Sequence, residues 1–173
     1  VERIYNKFKP KNNSELKSFN NYLETIQRQV DDIKKLVNEF SSFARMPKVN
    51  LYPGDLNKVV STQLSLFKTI NKNIEWSYIN HLPKDYKMMI DAQQLRQALT
   101  NIFQNSVDSI YESPSNNKGL INIFTDLKKG KVLLIIEDNG PGFPMKRENL
   151  TNPYVTLREK GTGLGLSIVS RII

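Results

Sequence analysis

Residues 120–142, LINIFTDLKKGKVLLIIEDNGPG, hold two apolar runs around a polar break, and their reading decides the class of fold. Residues 120–127 and 132–137 have the length and the β-branched content of strands, and Lys128-Lys129-Gly130-Lys131 between them is a hairpin signal. The second run ends in Asp138-Asn139-Gly140-Pro141-Gly142. Glycines at such a place let backbone approach a ligand closely, and a carboxylate at a strand end can accept a hydrogen bond from a planar ring amine; an ordinary tight turn would use the same residues.

Upstream of this hairpin, Asp55 is placed to cap a helix carrying Leu56, Val59, Val60, Leu64, Phe67 and Ile70. Ile74, Trp76 and Tyr78 then alternate with polar residues as a strand, and a short strand over 87–90 leads to Asp91, the expected cap of a helix running to about Tyr111. On that helix Leu95, Leu99, Ile102, Ser106 and Ile110 form the expected buried face. Asn101, Asn105 and Asp108, at i, i+4 and i+7, line a separate polar face. Asn costs propensity in a helix interior, so these residues fit either a polar site or surface filler.

Downstream, a loop from Asp138 to about Gly161 precedes a last helix expected near Thr162. Gly161-Thr162-Gly163-Leu164-Gly165-Leu166-Ser167 opens that helix, where free N–H groups and the helix dipole attract phosphate. The string lacks the Gly-Lys-Ser/Thr of a Walker loop and the Rossmann spacing, and it does not follow a strand. Helices with neighbouring antiparallel strands in this order indicate an α+β fold.

The N-terminal part reads differently. Leu16, Phe19, Leu23, Ile26, Val30, Ile33, Val37, Phe40 and Ala44 recur at alternating steps of three and four, a helix-bundle seam. Tyr22, Leu36 and Phe43 widen the stripe to the width of a four-helix core, which two antiparallel helices complete by dimerising, the alternative being that the hairpin packs on the rest of the chain. Ser14 is the expected N-cap, residues 10–13 the turn before it, and Val1, Ile4 and Phe8 the stripe of a preceding helix. Pro47 and Pro53-Gly54 break the pattern. The expected organisation is therefore a helical hairpin over 1–46, a linker over 47–54 and an α/β module over 55–173.

Composition bounds the function. Of 173 residues 39% are hydrophobic and 24% charged, so a core can form. No apolar run approaches the ~20 residues that span a bilayer. The chain has no cysteine and one histidine, His81, which excludes disulfide scaffolds and thiolate or His-rich metal centres. The net charge of +8 splits into an equal excess of four over 1–50 and 51–173, without aromatic interleaving, so the expectation is no direct nucleic-acid binding.

Taken together, Asn-x-x-x-Asn-x-x-Asp, Asp-x-Gly-x-Gly and Gly-x-Gly-x-Gly-Leu in this order resemble the Bergerat-fold ATP-binding module of sensor histidine kinases, gyrase-type topoisomerases, Hsp90 chaperones and MutL proteins. The preceding helical hairpin resembles the histidine-kinase arrangement. Residues 39–47 (EFSSFARMP) and 153–156 (PYVT) are similar to NtrY-type nitrogen-regulation sensor kinases.

The resemblance implies a mixed, largely antiparallel sheet in an α/β sandwich, ATP and Mg²⁺ as ligands, and transfer of the γ-phosphate to a histidine for relay to a response-regulator receiver domain. It places Asn105 on Mg²⁺, Asn101 at the phosphates and Asp138 at the adenine amino group, with Gly140 and Gly142 beneath the base. Gly161, Thr162, Gly163, Leu164 and Gly165 become the phosphate loop, with Asp108 and Thr156 also on the cofactor. Residues 143–160 become the lid, with Arg158 reaching the phosphates and Leu157 departing from the usual Thr.

The family's phospho-accepting histidine lies in a His-Glu-x-x-Asn-Pro-like box, which residues 1–9 lack; the expectation is a chain starting just downstream of it and ending before the module's further strands. The resemblance also implies a homodimer in the cytoplasm, the full-length protein being anchored in the inner membrane. ATPases of the superfamily carry a Glu where Asn101 stands, and an amide cannot take a proton from water, so kinase is favoured over ATPase. A non-catalytic dimerisation scaffold is the other alternative, against which the intact glycine clusters argue. His81, in a loop between strands, is read as structural.

Overall fold

The computed structural model describes all residues except 11, 45–46, 114–117, 144–149, 154 and 156–161, with backbone alone for 13, 14, 35, 39, 42 and 43. The chain divides into a mainly helical unit over Val1–Met46, to which Thr162 also belongs, and an α/β unit over Pro47–Leu157 and Gly163–Ile173.

The helical unit contains α1 (Glu2–Phe8) and α2 (Asn13–Ala44). α2 starts one residue before Ser14, which is therefore inside the helix instead of capping it. The rings of Tyr5 and Phe19 lie 6.3 Å apart, a proximity that requires the chain to turn back between the two helices. Leu23 is buried, but Ile26, Val30, Ile33, Val37 and Phe40 are each about half exposed, so the seam lies open along α2. The Phe43 side chain lies outside the described residues.

The α/β unit contains β1 (Tyr52–Gly54), α3 (Leu56–Ile70), β2 (Ile74–Asn80), β3 (Met88–Ile90), α4 (Ala92–Glu112), β4 (Gly119–Lys128), β5 (Lys131–Asp138) and α5 (Gly165–Ile172). β2, β4 and β5 form one sheet in the order β2-β4-β5, and β1 pairs with β3 in a second. β4 and β5 are antiparallel across a two-residue turn in which Lys129 and Gly130 both have positive φ, 51° and 74°, the geometry that matches the twist of a tight hairpin. β2 and β4 are parallel, which makes this the mixed sheet expected; the long connection through β3 and α4 is what permits the parallel pair.

Asp55 and Asp91 cap α3 and α4 as expected, accepting from Lys58 N and from Gln93 N and Gln94 N. The backbone N–H of Asn50, with those of Gln94 and Gln93, holds the Asp91 carboxyl below the usual carboxylate range. That bond, Asn50 N to Asp91 Oδ2 at 3.0 Å, has a partner in Gln94 Nε2 to Pro47 O at 3.1 Å. With Tyr52↔Ile90 pairing, they join residues 47–54 to the α/β unit. This segment is thus not a free linker: Pro53 and Gly54 sit in an edge strand, and Gly54 is required because a Cβ would lie 2.5 Å from Ile90 Cγ1.

The core lies between one face of the three-stranded sheet and helices α3 and α4. Phe103, fully buried, meets Phe67 and Trp76 edge-on at 5.3 and 5.4 Å. Val60, Leu99, Ile121 and Ile123 close around them. On α4 the buried residues are Gln94, Ala98, Leu99, Phe103, Ser106 and Val107. The expected face is corrected accordingly: Leu95, Ile102 and Ile110 are only half-buried, and Phe103 faces the centre.

Candidate functional site

Helix α4 is the floor on which the three polar clusters meet. Its apolar arc faces the core, which leaves Asn101, Asn105 and Asp108 half-buried on a flank. Gln104 Nε2 donates to Asp108 Oδ1 at 2.7 Å, so part of this carboxylate is occupied within the helix.

The first residue of α5 packs against that flank. A Cβ on Gly165 would lie 3.7 Å from Asn101 Oδ1 and 3.8 Å from Asn105 Nδ2, so the helix start and the two carboxamides face one another. Leu164, with no exposed surface, and Ile168 anchor α5 in the interior, and Ser167 Oγ donates to Leu164 O at 2.8 Å. The expected nucleotide contact of Leu164 is thereby restricted to its backbone, because its side chain is committed to the core. α5 begins at Gly165, three residues after the expected start near Thr162, since Gly163 at φ 69° holds the preceding turn in the left-handed region. Thr162 and Gly163 are half-buried. The N-cap residue of α5, Leu164, makes no side-chain cap hydrogen bond, unlike Asp55 at α3 and Asp91 at α4.

Asp138 is the last residue of β5 and is exposed, with Oδ1 accepting from Gly140 N at 3.0 Å. Gly140 rests on Ser109 of α4: a Cβ there would collide with Ser109 Oγ. Gly142 follows with φ 75°. Ser109 belongs to none of the three sequence clusters; its spacing of four from Asn105 is the one sign of it in the sequence. The glycine contacts at Asn101 and Ser109 span about 12 Å of helix, with a carboxylate beyond one end and the start of α5 at the other. Such a strip suits an elongated molecule with hydrogen-bonding ring edges and an anionic tail.

Thr156, Arg158 and Gly161 lie outside the described residues, as does most of the expected lid over 143–160. Among the described residues no group of three or more Asp, Glu or His could hold a metal, and no helix is long and apolar enough to cross a membrane. A cleft of about 360 Å³, lined by Asp55, Asn57, Asn80, Leu82 and Asp85 among others, lies at the other end of the sheet. Asn80 pairs with Thr125 there, whereas Asp138 pairs with Ile121, so the cleft belongs to none of the three clusters.

Residues 90–173 match the family described as histidine kinase-, DNA gyrase B-, and HSP90-like ATPase. Over its whole length the chain is 37% identical to the nitrogen regulation protein NtrY of Azorhizobium caulinodans, of which it spans 23%. Over 99% of its length it is 35% identical to a putative sensor histidine kinase NtrY-like of Rickettsia prowazekii, of which it spans 28%. Among solved structures, the nucleotide-free catalytic domain of histidine kinase ThkA superposes with a TM-score of 0.59 at 27% identity, over 72% of this chain and 80% of that one.

Proposed function

We propose that the α/β unit, whose residues 90–173 match the histidine kinase-, DNA gyrase B- and HSP90-like ATPase family in a chain similar along its length to NtrY-type sensor histidine kinases, binds Mg-ATP on α4 and presents the γ-phosphate for transfer to a histidine. The observation that carries this reading is the meeting of Gly165 with Asn101 and Asn105, which puts the first turn of α5 beside two carboxamides. Phosphate oxygens accept from the N–H groups of that first turn and from the backbone around Gly163, while Asp138 accepts from the adenine amino group above Gly140 and Gly142. In this proposal Thr156, Arg158, Gly161 and Thr162 complete the phosphate side, and Asp108, next to Ser109, lies toward the base end of the cofactor.

Asn105 offers one amide oxygen to Mg²⁺, a hard cation that takes one or two protein oxygens together with phosphate and water. When bound, the ion neutralises charge on the transferring group. Asn101 holds no proton-accepting nitrogen or carboxylate, so it positions and does not activate water; this favours transfer over hydrolysis, and Bergerat-type ATPase is the second reading. The phosphorylated histidine then passes its group to a receiver-domain aspartate of a response regulator.

Calorimetric titration with Mg-ATP tests the nucleotide reading. Asp138→Asn is expected to weaken binding about ten- to a hundredfold, the effect of losing a hydrogen bond to a charged acceptor. Equal affinity in wild type and variant would remove the adenine role.

The open stripe on α2 is the face of a homodimer in this proposal, with the whole protein anchored in the membrane and this part in the cytoplasm. Ile33, 60% exposed at the middle of the stripe, is then buried across the dimer. Ile33→Glu is expected to raise the dimer dissociation constant a hundredfold or more, since an unpaired buried carboxylate costs several kcal/mol. Light scattering that finds the wild type monomeric at high concentration would contradict it.

A further inference from the structure

We propose that Asn139 is a positioning residue for the nucleotide base: its carboxamide adds a rung to the β4–β5 ladder and so fixes the carboxylate of Asp138. This rests on the base-reading role of Asp138 proposed above.

Regular pairing of β4 and β5 ends at Ile121↔Asp138. One residue further, Asn139 makes three hydrogen bonds to β4 and the residue just before it. Its backbone N–H donates to Leu120 O at 3.2 Å, its Oδ1 accepts from Leu120 N at 2.8 Å, and its Nδ2 donates to Lys118 O at 2.9 Å. The side-chain amide thus presents a donor and an acceptor to the start of β4, as one more peptide group of β5 would. The chain itself is thereby released to turn.

Beyond that anchor the turn is fixed from the other side. Gly140 N donates to Asp138 Oδ1, and Gly140 seats against Ser109, with no room for a Cβ. Asp138 is therefore held between a ladder that Asn139 extends and a turn that α4 supports. An exposed carboxylate at a fraying strand end must be ordered when a ligand binds, and that ordering weakens affinity. Asn139 imposes the order beforehand.

The test is a titration of wild type, Asn139→Ala, Asp138→Asn and the double variant with Mg-ATP, and of wild type and Asn139→Ala with inorganic triphosphate, which carries no base. Asn139→Ala is expected to weaken Mg-ATP about tenfold. The double variant should bind no more weakly than Asp138→Asn alone, because no carboxylate remains to be positioned. Triphosphate should bind wild type and Asn139→Ala equally, which a general structural defect would not allow.

Mg-ATP affinity of Asn139→Ala within twofold of wild type, or single effects that multiply in the double variant, would overturn the inference while leaving the role of Asp138 standing. Equal affinity in wild type and Asp138→Asn would remove that role and the inference together. Should Asn139→Ala fail to fold, the uncharged Asn139→Ser, too short to bond both Leu120 N and Lys118 O, is read against the same outcomes.

Discussion

Phe103→Ala is expected to lower the unfolding free energy of the α/β unit by about 3–5 kcal/mol. The ring is fully buried on α4 and meets Phe67 of α3 and Trp76 of β2 edge-on. Its removal therefore loses the transfer energy of the ring, the aromatic contacts and the packing of three elements that cannot collapse onto a methyl group. Against a typical total of about 5–15 kcal/mol, that is a third or more of the stability.

The chain supplies its own probe, because Trp76 is the one tryptophan and lies in the same cluster. Urea unfolding followed by its fluorescence should show a lower midpoint at unchanged slope. Phe103→Leu should cost much less, as it keeps most of the volume. A loss below about 1 kcal/mol for the alanine variant would mean that Phe103 does not fill the space described.

Phe103 also shows where reading the sequence fell short. Spacing by three and four from Leu95 selects a narrow stripe, but α4 packs on α3, on the sheet and on α5, so its buried arc widens to take in Ala98, Phe103 and Val107. What is local was legible: the caps Asp55 and Asp91, the turn at Lys129-Gly130, and the glycines that open α5 all act within a few residues. What is long-range was not. The parallel pairing of β2 with β4 joins segments more than forty residues apart, and β1 exists only because β3 is beside it. The same holds at the site. The glycine clusters could be read from their spacing, but the seat of Gly140 on Ser109 and the bridge from Asn139 to Lys118 arise only when the hairpin closes over α4.

Incubated alone with Mg-ATP, the chain should neither gain a stable phosphohistidine nor release phosphate quickly. Its one histidine is His81, whose backbone N–H donates to Thr125 O at 2.9 Å. Its neighbours are held as well, since Leu82 is buried and its N–H donates to Asn80 Oδ1. Along β4, Thr125 lies four residues from Ile121, the partner of Asp138, or about 13 Å of strand.

In-line transfer requires an acceptor nitrogen about 3–3.5 Å from the phosphorus, and an imidazole fixed at this end of the sheet reaches only as far as its own side-chain rotations carry it. Water is no better served, as Asn101 offers no base to activate it. On the reading proposed above, the acceptor histidine must come from outside these 173 residues, and a longer polypeptide that supplies it on a helix should become labelled. Labelling from γ-labelled ATP, with the site mapped by mass spectrometry and tested for acid lability, is the measurement. Label on His81 would overturn the structural reading of that residue, and rapid phosphate release abolished by Asn101→Ala would put hydrolysis ahead of transfer.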